Sequence, residues 1–400
     1  MTQVSAFRHD PVKSVLPGGE HGTFHWSREP VVFGHRRLTH HNERLGRTLP
    51  VPVSASPAVV PGVGVLLAAD DGRVRFYGRG LRKAFWERRL DSGVYASLVV
   101  DPVRRRVVVA ATSGLITCLD LRGKLVWAAR ARLPVYATPV VLPAADLLVV
   151  AAFHARCLAF RLSTGEPVFD RDLPEPWHAA PGGTASYRDP YASPAGTDQG
   201  SVVVCCGDHV IALSGEGREL WRFAAGADIK ASPVFVRATA EVVICTVGGD
   251  CLFLDARTGR LRHTECLDAK ITASPALSAD VLAVGAQDGT VTGLDVRTHL
   301  PVWRAGQGAP CSYTSFSVLP NGDFIATAER GNVIALRRCD GRFRWESSQV
   351  LGLPDHEPRM DTTPLASPDG ALYCAAYSGD VYEFRFQPAT ANPEAASCPP

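Results

Sequence analysis

One recurring position in this 400-residue chain is filled by side chains that could do chemistry: Ser54, Tyr95, Tyr136, Tyr191, Lys230, Thr272, Tyr313 and Asp361. Each opens a short phrase of the form Tyr-Ala-Ser-Pro. A tyrosine presents a π face and a hydroxyl at low entropy cost, which suits recognition. A single lysine among tyrosines can hold a carboxylate or phosphate, or with a lowered pKa serve as base or nucleophile. Asp361 adds one anion. His178 and His356 lie in long polar segments and extend the acid–base set, so the candidate catalytic residues are Tyr95, Tyr136, Tyr191, Lys230, Tyr313, Asp361, His178 and His356. Trp177, Tyr187, Arg188 and Arg359 in the same segments, with Phe153, Glu329 and Tyr377 in tight turns, are the candidate ligand-binding residues. Adjacent histidines such as His40 and His41 point apart in an extended chain, so no metal site is read.

The elements that must position these residues follow from the spacing. The phrase steps along the chain by 41, 41, 55, 39, 42, 41 and 48 residues, the length of one four-stranded propeller blade. After each phrase comes an apolar strand, a tight turn such as Asp71-Gly72 or Ser113-Gly114, a third strand, and a second turn into a fourth. The glycine supplies the positive φ that a short hairpin needs. No helical periodicity interrupts this meander. An aromatic marks the fourth strand: Trp86, Trp127, Phe169, Trp221, Trp303 and Trp345, with His263 standing in once. The eighth repeat stops after three strands, and residues 22–30, with Trp26 as the eighth aromatic, are expected to supply the missing one and remove a free edge. The expected fold is therefore all-β: an eight-bladed propeller over residues 22–387, closed by the N-terminal strand, with an extension at 1–21 and a disordered Pro- and Ala-rich tail at 388–400.

The phrases Leu254-Asp255-Ala-Arg-Thr-Gly259, Leu294-Asp295-Val-Arg-Thr298 before Trp303, and Leu119-Asp120 before Gly123 and Trp127, with the Ala-Ser-Pro openings, resemble the pyrroloquinoline-quinone-type propeller repeat. That family includes periplasmic quinoprotein dehydrogenases, a lipoprotein of the outer-membrane assembly machine and a cytosolic propeller fused to an adenylating enzyme. The short, Ser-Pro-opened blades look closest to the last. The resemblance is specific for fold and weak for function. Quinoprotein dehydrogenases set a disulfide of adjacent cysteines against their cofactor, and Cys205-Cys206 invites the comparison. Here the pair aligns with Ala68-Ala69, Ala110-Ala111 and Ala375-Ala376, a small-residue strand position, so no cofactor is expected.

Charge is balanced at 42 Lys+Arg against 40 Asp+Glu, which gives no overall field for nucleic acid or an anionic membrane. The first twenty residues hold no apolar run and eleven cysteines are scattered without a C-x-x-C pair. The expectation is a cytoplasmic protein with reduced thiols. In a propeller, the segment entering each innermost strand shares a rim with the turn between second and third strands. Long segments at 31–50, 174–190 and 347–360 should thus crowd one channel mouth. The function expected is binding of a small or peptidyl ligand there, with cofactor-independent lyase, cyclase or isomerase chemistry as the reaction class such side chains support. The alternative is a non-catalytic scaffold that docks a protein partner such as a carrier or adenylating enzyme.

Overall fold

A computed structural model describes residues 15–17, 22–175, 190–306, 315–328, 332–348 and 362–389. Eight four-stranded antiparallel sheets stand around one axis. Blade 1 runs through Ala58–Val60, Gly64–Ala68, Arg73–Gly78 and Ala84–Arg89, and blades 2 to 7 repeat the order, innermost strand first. Blade 8 takes its three inner strands from Leu365–Ala366, Ala371–Ala375 and Asp380–Arg385 and its outer strand from Val31–Arg37. The N-terminal strand thus closes the ring, and closure removes the edge that an open sheet would leave.

Burial follows from this stacking. Second and third strands lie between neighbouring blades and are apolar on both faces, as in Val107, Val108 and Val109 or Cys118 and Leu119. Outer strands bury one face only: Leu125–Arg130 keeps Trp127 inside and leaves Val126 and Ala128 exposed. Cys205 and Cys206, adjacent on one strand, face opposite ways. Cys205 packs into the core with Trp221, Cys206 into the one with Leu147 and Ile211, and both are free thiols.

Each fourth-strand aromatic is a wedge between blades, as expected of large apolar side chains at a repeated position. The indole N–H of Trp86, Trp127, Trp221 and Trp303 donates to the carbonyl of Leu121, Leu162, Ala256 and Arg338, at 2.8–3.0 Å and 35 residues further along in every case. The ring lies on a glycine of that next blade's last turn. At Gly165 (φ +78°) a Cβ would come 2.5 Å from the Trp127 ring, so only glycine fits. The exception is paired. His263 replaces the tryptophan, and His299 at φ 65° replaces the glycine opposite it. The two imidazoles stack at 5.1 Å, and His299 hydrogen-bonds the buried Glu241 at 3.0 Å.

The closure differs from the expectation in its residues. The outer strand of blade 8 is Val31–Arg37, not 22–30. The position that holds tryptophan elsewhere is Gly34, opposite Glu383 across the same bulge that precedes every wedge. No side chain fits there, because a Cβ on Gly34 would lie 2.6 Å from the Gly80 carbonyl. The Arg79–Leu81 turn of blade 1 fills the wedge's space with backbone. Trp26 does something else. It packs on Phe386 at 4.6 Å, and its carbonyl accepts the Trp345 indole N–H at 2.9 Å, standing in for the turn that the split blade lacks.

Candidate functional site: the aromatic rim of the propeller

The repeated phrase does three jobs in three consecutive residues. The second, alanine at 55, 96, 137, 192, 231 and 273, is fully buried. The third is a serine or threonine whose hydroxyl accepts the backbone N–H of the equivalent residue in the preceding blade. Ser56 donates to Ser97, Ser97 to Thr138, Thr138 to Ser193, Ser193 to Ser232, and Ser232 to Ser274. Ser274 donates to Ser315, Ser315 to Thr363, and Thr363 back to Ser56, closing a belt of eight bonds of 2.7–3.4 Å. Among the described residues, this belt sets at one height the residue two before it in each phrase: Ser54, Tyr95, Tyr136, Tyr191, Lys230 and Thr272.

Entry segments and inner turns are tied on one rim. The N–H groups of Asp70, Thr112, Phe153, Val247 and Gln287 donate to the carbonyls of Pro52, Gly93, Pro134, Asp228 and Lys270 at 2.8–3.0 Å. Each acceptor stands two residues before a phrase opener. Residues 31–50, expected as one long loop, are the closing strand followed by a hairpin of Thr39–Asn42 and Arg47–Pro50. That hairpin hangs from the same rim through the Leu38 N–H to Gly379. His40 and His41 are exposed on it, while His35 sits in the closing strand, 2.8 Å from Asp380 and stacked on Tyr382.

The openers divide by size. Ser54 and Thr272 are buried and bonded to the turn residues of their own blades, Asp70 at 2.9 Å and Gln287 at 3.0 Å. Tyr95, Tyr136, Tyr191 and Lys230 are half-buried and meet one another. Tyr95 lies 5.1 Å from Tyr136, and Tyr136 stacks on Phe153 at 4.6 Å with the rings 7° apart. Phe153 meets Tyr191 edge-on at 5.1 Å, and the Lys230 ammonium lies 5.2 Å over the Tyr191 ring. Asp228 stands 3.6 Å from that ammonium. Beyond the other end of the run, Tyr377 is exposed and near enough to Tyr95 to act on its charge. Burial first, and then the Asp70 carboxylate that accepts its hydrogen bond, push the Tyr95 phenol up to about 12. Tyr95 is therefore a fixed donor at neutral pH.

Of the expected site residues, Tyr95, Tyr136, Tyr191, Lys230, Phe153 and Tyr377 thus share one rim. Tyr313, Asp361, Trp177, His178, Tyr187, Arg188, Glu329, His356 and Arg359 lie outside the described residues. Asp228 escaped the sequence reading, although its offset of two before the opener is the one at which five entry segments bond a turn among the described residues. Among the described residues no three His, Cys, Asp or Glu side chains converge as metal ligands, and no helix is long and apolar enough to cross a membrane.

Comparison with known proteins places this architecture. The family model described as outer membrane protein assembly factor BamB matches residues 206–395. With the eight-bladed ring, that match supports a propeller of pyrroloquinoline-quinone-type repeats. Among solved structures, BamB from Moraxella catarrhalis superposes with a TM-score of 0.68 at 17% identity, over 89% of this chain and 100% of that one. Sqt1 of Saccharomyces cerevisiae does so with a TM-score of 0.70 at 15% identity, over 90% and 100%. The computationally designed Ika8 protein gives 0.69 at 16% identity, over 90% and 100%. Likeness at these identities is likeness of fold. A search of curated proteins by sequence gave no match.

Proposed function

We propose that the protein is a cytoplasmic recognition propeller that holds a peptidyl ligand, a segment of a partner protein, across the aromatic rim of its channel. The observation that carries this reading is the unbroken run Tyr95–Tyr136–Phe153–Tyr191 ending on the Lys230 ammonium. Stacked rings along one rim offer apolar surface with little side-chain entropy left to lose. Lys230 adds a cation for a carboxylate, and Asp228 beside it supplies an acceptor for a backbone or side-chain N–H. Recognition fits better than turnover. The phenol of Tyr95 is committed to Asp70 and stays protonated, so it is poorly suited as a general base. The name of the matched family, an assembly factor, supports the same choice. The free thiols of the nine described cysteines agree with a reducing compartment.

The test is a synthetic peptide array probed with the full chain, followed by titration of the selected peptides. Tyr136→Ala and Lys230→Ala should each weaken binding about tenfold or more while the fold persists. Peptides that bind both variants as tightly as the parent chain would remove the rim from the account.

A further inference from the structure

The charge balance of the whole chain conceals a strong asymmetry. Residues 31–132, the closing strand with blades 1 and 2, hold 18 Lys+Arg against 7 Asp+Glu, a net of +11. The remaining residues hold 24 against 33, a net of −9. Screening over roughly 8 Å at physiological salt leaves such regions electrostatically separate on a propeller.

Within the basic region, one exposed patch also carries aromatic surface. A β-bulge interrupts the pairing of every outer strand one residue before the wedge position, and the extra residue is exposed in six of the eight blades. In blades 8 and 1 that residue is phenylalanine: Phe33, 54% exposed, and Phe85, 60% exposed. Both rings lie along one loop. A Cβ on Gly78 would be 3.0 Å from Phe85, and one on Gly80 would be 3.5 Å from Phe33. The same loop carries Arg79, Arg82 and Lys83, all exposed, and among the described residues none of the three is in an ion pair. The loop is held rigid from beneath. Glu383 accepts the Gly80 N–H at 2.7 Å, and Arg36 donates to the Arg82 carbonyl at 2.9 Å.

We propose that this outer face, where blade 8 meets blade 1, is a docking surface for an acidic segment of a partner protein with apolar side chains among its carboxylates. Two exposed aromatic rings flanking three cations match that chemistry by charge and by apolar area. A long polyanion fits less well, because the net −9 of the remaining chain repels whatever extends beyond the patch. The face is separate from the channel mouth and does not depend on ligand binding there.

The probe is a fluorescein-labelled dodecapeptide of alternating Glu and Leu, titrated by fluorescence polarisation against the full chain at low and physiological salt. A uridine dodecamer and phosphatidylglycerol vesicles are run beside it. The peptide should bind and weaken as salt rises. Arg79→Glu, Arg82→Glu and Lys83→Glu together should cost at least tenfold, and Phe33→Ala with Phe85→Ala several-fold, while Arg218→Gln, an exposed charge on blade 4 away from both surfaces, changes nothing. If the triple reversal fails to fold, Arg82→Gln with Lys83→Gln takes its place and should still weaken binding. Absence of saturable binding, equal binding by the charge variants, or tighter binding of the oligonucleotide or vesicles through the same residues each overturns the proposal.

Discussion

The backbone N–H of Thr363 donates to the Ser56 hydroxyl at 3.2 Å, joining residues 307 positions apart and shutting the belt that runs through all eight blades. The belt accounts for the third residue of each phrase in a way that packing alone does not. A buried N–H needs a partner, and in this ring each blade supplies it to the one before.

The first prediction concerns that belt. Ser97→Ala leaves the Ser56 N–H buried without an acceptor, at a cost of about 1–3 kcal/mol. Ser97→Thr keeps the oxygen, as Thr138 and Thr363 already do in their blades, and should be near neutral. Urea denaturation of both variants checks the pair, and equal losses would show that volume rather than hydrogen bonding is at stake.

A second prediction addresses the wedges. Trp127→Ala removes a buried ring and the hydrogen bond to Leu162, and should cost about 3–5 kcal/mol. His263→Trp alone should also destabilise, because His299 occupies the space that glycine leaves open elsewhere. Adding His299→Gly should recover much of that loss, and the coupling energy of the double-mutant cycle reports it.

Acid should loosen the closing strand. Burial alone would raise the Asp380 carboxyl, but hydrogen bonds from His35 and Ser378 and the charge of Arg37 outweigh it and hold the group below its ordinary value. A depressed folded-state pKa contributes stability that is complete above the unfolded value of about 3.9 and is lost as pH falls through the folded one. Asp380→Asn should therefore lower stability at pH 7 and flatten its fall below about pH 4. A variant with the parent's acid limb would contradict this.

Much of the fold was legible because a blade is a local meander whose turns and wedge recur in the sequence. The mouth was legible for the same reason: repeat equivalence alone puts Tyr95, Tyr136, Tyr191 and Lys230 at one height. The closure was legible only in outline. Trp26 imitates the wedge signature, whereas the true wedge position is Gly34, whose partner is a turn about 45 residues further on that no local pattern announces. The correction changes a truncation experiment. Removing residues 1–30 should strip the Trp26 packing yet leave the ring closed, and removal through Arg37 should open it. Thermal melts of the two truncations should differ by far more than seven residues of exposed chain would give. The belt hydroxyls stood in plain view in every phrase, but their partners lie in another blade, so spacing could not assign them.

The account rests most heavily on where a ligand sits, and hydrogen–deuterium exchange of the full chain with an array-selected peptide measures that directly. Protection should gather on the rim, at residues 93–96, 134–137, 153–155, 191–193 and 228–231, and Lys230→Ala should reduce it at the same peptide concentration. Protection at the turns on the opposite end of the channel, Pro61–Val63 and Pro102–Arg105, with the rim unchanged, would contradict the account.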